Sequence, residues 1–191
     1  MISFHNLFYS PSLFTKEQCD RILTEHVSGD WKDGTIEWEE GERIQPELRS
    51  SKIKWLTDQW VFDHIWPCML GANEKAGWKY DIKAMGDIQL TRYEPGDFYN
   101  FHSDGFGCHN VKAPNTGWCR KLSMSIFLND DYEGGEFQFI KLCKGEMEII
   151  TQEHVAGSAV IFPSNIEHRV KPVYTGVRYS LVIWFVGPPF T

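Results

Sequence analysis

The sequence predicts a mostly-β or α+β domain, with helices first and then a run of short strands that close as a double-sheet jelly roll. Two stretches with helical spacing precede residue 78, whereas from Trp78 onward short β-type segments are broken by Gly, Pro, Asn and Asp. No helical stretch separates those later segments, so there is no βαβ alternation and no sign of a parallel sheet. The chain has 191 residues, 42% of them hydrophobic and 15% aromatic, with 8 Trp, enough for one sizeable core. No repeat, low-complexity tract or linker divides it. A single domain over 1–191 is expected, helical to about residue 78, with the β core over about 79–191 and the helices packed on one sheet.

Thr15-Lys-Glu-Gln18 is a capping-box pattern and opens a helix over 15–28. Cys19, Ile22, Leu23 and Val27 share one face of it, and Gly29 stands at the stop position. Residues 30–56 carry many charges with Gly34, Gly41 and Pro46, the pattern of a long loop or loose hairpin. Within them Ser51-Lys-Ile-Lys-Trp-Leu56 alternates like a strand. A loop of that length is as consistent with a substrate lid as with a solvated connection. Thr57 or Asp58 caps a second helix to about Lys75, with Val61, Phe62, Ile65, Trp66, Met69 and Leu70 as its apolar stripe. Pro67 is expected to kink or divide that helix. Strands are expected over 79–84, 86–93, 98–103, 120–129, 135–141, 145–151, 158–162, 166–171 and 177–186.

Lys and Arg number 19 against 26 Asp and Glu, a net charge of −7, which argues against nucleic acid as a partner. The five cysteines (19, 68, 108, 119 and 143) form no C-x-x-C pair, which suits a reducing cytoplasm better than a disulfide framework. Cys108-His109 has no partner pair at zinc spacing and reads as part of a loop. No apolar run approaches the ~20 residues of a membrane helix. Met1-Ile-Ser-Phe-His-Asn6 lacks the basic and apolar regions of a secretory signal. A soluble cytoplasmic protein with no membrane partner is the expectation.

His102-Ser103-Asp104 places a histidine and a carboxylate two residues apart, on one face if the backbone is extended. A third ligand must come from elsewhere, and His168, after Pro163-Ser-Asn, is the best candidate. Two imidazoles and one carboxylate on one side of an ion form the facial triad that suits non-haem Fe(II). H-x-D alone recurs by chance, so a second feature has to carry weight. That feature is Arg178, in the otherwise apolar segment Gly176-Val-Arg-Tyr-Ser-Leu-Val-Ile-Trp-Phe185. A guanidinium set against the core needs an anion, either a protein carboxylate or a dicarboxylate cosubstrate.

Tyr93-Glu-Pro-Gly-Asp-Phe-Tyr-Asn-Phe-His-Ser-Asp104 resembles the Y-x-x-G-x-x-Y-x-x-H-x-D signature of prolyl 4-hydroxylase-like Fe(II)/2-oxoglutarate-dependent oxygenases. Arg120-Lys-Leu-Ser-Met-Ser-Ile-Phe-Leu-Asn129 followed by Tyr132-Glu-Gly-Gly-Glu136 resembles their next conserved segment. His168, Arg178 and Trp184 resemble their closing one. The resemblance implies a double-stranded β-helix, the cupin-like jelly roll, using Fe(II), 2-oxoglutarate and O2, with ascorbate as an optional accessory. It implies His102, Asp104 and His168 as iron ligands, Arg178 on the distal carboxylate of 2-oxoglutarate, and Tyr93 in contact with the cosubstrate or lining its pocket. Tyr99, Arg120 and Trp184 match acceptor-facing positions, although Tyr99 and Trp184 are equally consistent with core aromatics. Phe127 replaces a tyrosine of some relatives, and Gly134-Gly135 reads as a tight strand entry. With Asp104 in place of the small residue of related halogenases, hydroxylation is implied.

The function so implied is hydroxylation of a protein or peptide, with a prolyl residue as the favoured acceptor. A lysyl residue, free amino acid or nucleobase is the alternative acceptor, and a cupin-like metal- or sugar-binding module is the alternative class. Acceptor choice is expected to lie with the loops 30–56 and 105–118.

Overall fold

The computed structural model describes residues 7–38, 41–105, 117–143 and 146–190. In chain order the first elements are β1 (Phe8–Ser10), α1 (Lys16–His26), β2 (Lys32–Asp33), β3 (Ile36–Trp38), β4 (Gly41–Arg43), β5 (Arg49–Ser50), β6 (Lys52–Leu56), α2 (Gln59–Lys75) and β7 (Ala84–Met85). There follow β8 (Ile88–Tyr93), β9 (Phe98–His102), β10 (Cys119–Phe127), β11 (Glu133–Gly134), β12 (Phe137–Cys143), β13 (Glu146–Gln152), β14 (Ala159–Pro163), β15 (His168–Val170), β16 (Val173–Thr175) and β17 (Arg178–Gly187).

α1 starts at the expected capping box: Gln18 N–H donates to Thr15 Oγ1 (3.2 Å) and Thr15 N–H to Gln18 Oε1 (2.8 Å). α2 is continuous from Gln59 to Lys75 with Pro67 inside it, so the expected division does not occur. Pro67 and Asp63, four residues before it, are both exposed, where water can satisfy the carbonyl that proline leaves without a donor. Val61, Ile65 and Met69 are buried as expected, but Leu70 is 45% exposed and Ala72 takes the inward place.

Two antiparallel sheets carry the rest. The larger runs β1-β14-β10-β17-β8-β6-β2, with β7 beside β17, and the smaller runs β13-β12-β15-β9-β5. The period of two divides the larger sheet between two cores. Ile88, Leu90, Leu122, Met124, Ile126, Ala159, Ile161, Leu181, Ile183 and Phe185 join the buried residues of α1 and α2. Tyr93, Phe127, Val160 and Phe162 join Phe137, Phe139, Val170 and Val173 of the smaller-sheet side. The same strands bring buried Gln89, Thr91, Ser123, Ser125, Arg178 and Ser180, out of step with the helix-facing residues. The helix-facing core is therefore apolar, and the inner face of the larger sheet mixes polar side chains with aromatic and aliphatic ones. This is the expected jelly roll with its helices on one sheet.

Residues 30–56 are not one loose hairpin. β3 and β4 pair with each other, β5 joins β9 in the smaller sheet, and β6 joins β8 in the larger. Of the expected strand over 79–84, Ala84 alone is in a strand, and Lys79 at φ +53 breaks the extension. β1, β2, β5, β11 and β16 are further strands of two or three residues. Most of the proposed 105–118 lid, with Cys108-His109, lies outside the described residues.

Candidate active site

β9 and β15 are antiparallel neighbours in which His102 stands opposite His168, their rings 4.2 Å apart. β9 ends at His102, so strand alternation does not by itself place Asp104. Asp104 and Gly105 N–H instead donate to Ser164 O (2.9 and 3.0 Å), and Arg120 Nη1 donates to Asp104 O (3.2 Å). Asp104 Oδ1 then lies 3.8 Å from His102 Nε2, and Oδ2 lies 3.6 Å from His168 Nε2. These separations are too long for hydrogen bonds. They suit ligands each about 2.1 Å from one shared ion. One ligand atom from each residue lies within 4.8 Å of the other two.

Both imidazoles are aimed by their second nitrogen. His102 Nδ1–H donates to Asn100 O (2.8 Å) and His168 Nδ1–H to Ile166 O (3.0 Å), leaving each Nε2 lone pair for a cation. Tyr99 stacks on His102 at 3.5 Å and 10°, and the Arg49 guanidinium lies 4.7 Å over Tyr99. Burial, and then the neighbouring His168, push the His102 pKa down to about 3, so the ring is neutral. Burial alone would raise the Asp104 carboxyl, but His168, His102 and Arg120 together outweigh it and hold it below its ordinary value. Asp104 Oδ2 is buried and has no hydrogen-bond partner among the described residues. Two imidazole nitrogens beside a carboxylate are the donor set a divalent cation needs.

Arg178 is fully buried at the start of β17. Nη1 donates to Ser180 Oγ (3.0 Å), while Nε and Nη2 have no partner among the described residues. These two nitrogens form one edge of the guanidinium, with parallel N–H bonds that match a carboxylate. No ion pair joins Arg178 to a carboxylate among the described residues. Tyr93 stands opposite Arg178 across β8 and β17, its ring 5.3 Å from the guanidinium carbon. Burial raises the Tyr93 pKa, against the lowering effect of the Arg49 and Arg178 charges. Phe127, 5.5 Å from the guanidinium, leads through Phe137 (6.1 Å) to His168 (5.4 Å) as an aromatic wall.

The expected strand entry at Gly134-Gly135 has φ of +78° and +62°. A Cβ on Gly135 would stand 2.9 Å from Arg178 Cδ, so glycine there makes room for the arginine. On the metal side, Arg120 lies 4.4 Å over the Trp184 ring, whose Nε1 is buried without a partner among the described residues. Trp55, 46% exposed, lies 6.5 Å from Trp184 and extends this aromatic surface outward. All eight predicted site residues therefore lie on or beside this interior. Sequence reasoning missed Arg49 and Trp55, which stand in no motif, and the Ser123–Ser164 hydroxyl pair (2.9 Å), whose members lie in the Arg120–Asn129 and Pro163-Ser-Asn segments but match no expected role there. A cavity of about 450 Å³ bordered by Tyr80, Phe139, Pro163 and Ile166 contains none of these site side chains.

A family profile described as the 2OG-Fe(II) oxygenase superfamily matches residues 88–186, just over half of the 191. A PKHD-type hydroxylase of Synechococcus sp. (strain CC9902) is 38% identical over 106 residues, 54% of this chain and 42% of that protein. The match thus spans about two fifths of that relative's length. A PKHD-type hydroxylase of Janthinobacterium sp. (strain Marseille) is 26% identical over 186 residues, 93% of this chain and 77% of that protein. Among solved structures, a Pseudomonas putida prolyl-4-hydroxylase has a TM-score of 0.71 at 20% identity, covering 95% of this chain and 92% of that one. A Trichoplax adhaerens prolyl hydroxylase, in complex with a hypoxia inducible factor peptide fragment, has a TM-score of 0.72 at 17% identity, covering 94% and 83%. At those identities the likeness is one of fold. The profile's span contains His102, Asp104, His168 and Arg178, and by that match the chain belongs to the 2OG-Fe(II) oxygenase superfamily.

Proposed function

We propose that this chain is a dioxygenase that hydroxylates a protein or peptide, with a prolyl residue as acceptor. The observation that carries the reading is the Nε/Nη2 edge of Arg178, unpaired in the same interior as the His102–Asp104–His168 cluster. A buried guanidinium without a counter-charge is costly, and a dicarboxylate cosubstrate supplies one. His102 Nε2, the Asp104 carboxylate and His168 Nε2 would hold Fe(II), and Arg178 would take the distal carboxylate of 2-oxoglutarate. Bound there, Fe(II) supplies O2 activation coupled to oxidative decarboxylation of 2-oxoglutarate, one oxygen atom going to succinate and the other to the acceptor C–H as hydroxyl, with release of CO2.

The chain's own contribution is placement. The Asn100 and Ile166 carbonyls hold both imidazole rings in one tautomer, and Tyr99 fixes the plane of His102 by stacking. Phe127, Phe137, Phe139 and Phe162 keep water from the interior, which strengthens the pairing of Arg178 with a carboxylate. Arg120, Trp184 and Tyr99, beside the triad, would face the acceptor. A peptide acceptor is supported by the peptide complex of the Trichoplax adhaerens neighbour, and a prolyl acceptor by the description of both structural neighbours as prolyl hydroxylases.

The test is turnover with Fe(II), 2-oxoglutarate and ascorbate against a panel of proline-containing peptides, followed by mass spectrometry. Succinate and one added oxygen per prolyl residue are expected, and His102→Ala should abolish both. Succinate formation unchanged in that variant removes His102 from the iron site. Oxygen found on lysyl residues or a free amino acid replaces the prolyl assignment.

A further inference from the structure

Arg178 is not alone in its need for an acceptor. The Tyr132 hydroxyl is also buried and without a hydrogen-bond partner among the described residues. Its ring stacks on His154 at 5.4 Å and 13°. His154 lies 5.9 Å from Phe127, the same ring that stands 5.5 Å from the Arg178 guanidinium. The link between the two is closest at Gly135. A Cβ there would be 2.9 Å from Arg178 Cδ and 3.3 Å from Tyr132 Cε2, the ring carbon next to the one that bears the hydroxyl. Phenol and guanidinium therefore share one space above a glycine where φ of +62° and the short approaches would strain any side chain.

Among the described residues the phenol finds no acceptor. Phe127 has no polar side-chain atom, and Glu136, whose Oε1 is held by Lys171 (3.4 Å) and whose Oε2 is buried without a partner among the described residues, makes no hydrogen bond to Tyr132. An unpaired buried hydroxyl is destabilising, and a ligand oxygen removes the penalty. A carboxylate that accepts both N–H bonds of the Arg178 edge still has free lone pairs for a third donor. Burial raises the Tyr132 pKa by more than the adjacent Arg178, through its charge and its polar contact with the phenol, lowers it, so the hydroxyl keeps its proton at neutral pH.

We propose that Tyr132 is a cosubstrate-binding residue whose hydroxyl donates to the distal carboxylate of 2-oxoglutarate alongside Nε and Nη2 of Arg178. The three donors select 2-oxoglutarate over 2-oxo acids that lack a second carboxylate. This rests on the reading of Arg178 given above, and the test separates the two. Titration calorimetry of Mn(II)-loaded, oxygen-free protein would compare 2-oxoglutarate with 2-oxopentanoate, which has the keto acid but no distal carboxylate. Tyr132→Phe keeps the ring on His154 and should weaken 2-oxoglutarate about tenfold or more, the size of a lost hydrogen bond to a charged group. Its affinity for 2-oxopentanoate should match wild type, and its melting temperature without ligand should equal or exceed it, since the unpaired hydroxyl is gone. A variant that binds 2-oxoglutarate within about twofold of wild type overturns the proposal and leaves the Arg178 reading intact. Equal losses for both ligands, or a lowered melting temperature with them, assign Tyr132 a structural role and also overturn it. Wild-type protein that does not prefer 2-oxoglutarate to 2-oxopentanoate overturns both.

Discussion

Arg178 sets two demands that pull in opposite directions. Without ligand, its Nε and Nη2 lie unpaired at full burial, which destabilises the fold. With a carboxylate on that edge the same atoms become the strongest contact in the interior. Arg178→Met should therefore raise the KM for 2-oxoglutarate by about tenfold to a thousandfold, the cost of breaking a buried charge pair. The same variant should leave the melting temperature of ligand-free protein unchanged or higher, a gain on the order of 1 kcal/mol. Steady-state kinetics and a thermal melt on one sample check both signs, and a large fall in stability would mean that Arg178 already has a protein partner. Gly135→Ala should behave differently. Its φ of +62° and the 2.9 Å approach to Arg178 Cδ penalise any side chain, so stability should fall by about 1–3 kcal/mol while 2-oxoglutarate binding weakens. Urea unfolding and a binding titration would show the two losses together.

The elements differ in how plainly the sequence announces them, for reasons of length. α1 was legible because its capping box and its buried Cys19 and Ile22 are local signals. β10, β14 and β17 were legible because they run for five to ten residues, long enough for buried composition to show. β2, β5, β7 and β11 have two residues each, too few to carry a period, and exist because a longer neighbour offers them hydrogen bonds. α2 was misread at Pro67, because the proline penalty depends on whether the freed carbonyl reaches water. That account has a consequence for stability. Pro67 is exposed mid-helix, so Pro67→Ala restores a hydrogen bond and removes a clash, offset by the greater freedom of the unfolded chain. The variant should be more stable by about 1–2 kcal/mol, read as a higher urea midpoint at unchanged m-value with unchanged turnover.

At the scale of the whole molecule, residues far apart in the chain share one interior, and that sharing is what composition hides. The net charge of −7 hides an interior in which Arg49, Arg120 and Arg178 surround two histidines and one aspartate. The H-x-D motif named His102 and Asp104, but the placement of His168 opposite His102 depends on a β9–β15 register that no local pattern contains. The same convergence fixes the protein's response to acid. The His102 pKa falls from 6.5 in an unfolded chain to about 3 in the fold, because burial and then His168 disfavour its charged form. Below pH 6.5 the unfolded chain takes up a proton that the folded one refuses, so stability contributed by neutral His102 is present above that pH and is lost as pH falls toward about 3. His154, lowered by burial and by the Arg178 charge, acts in the same direction, and Asp104, held below 3.8, adds its loss at the acid end. Metal-free protein should therefore melt at progressively lower temperature as pH is reduced from neutrality, and His102→Gln, which has no proton to gain, should flatten the upper part of that slope. Divalent metal competes with the same protons, so the stabilisation it gives should shrink over the same interval. A wild-type profile as flat as that of His102→Gln would show that folding leaves the His102 pKa where the unfolded chain has it, and that burial does not hold the ring neutral through this interval.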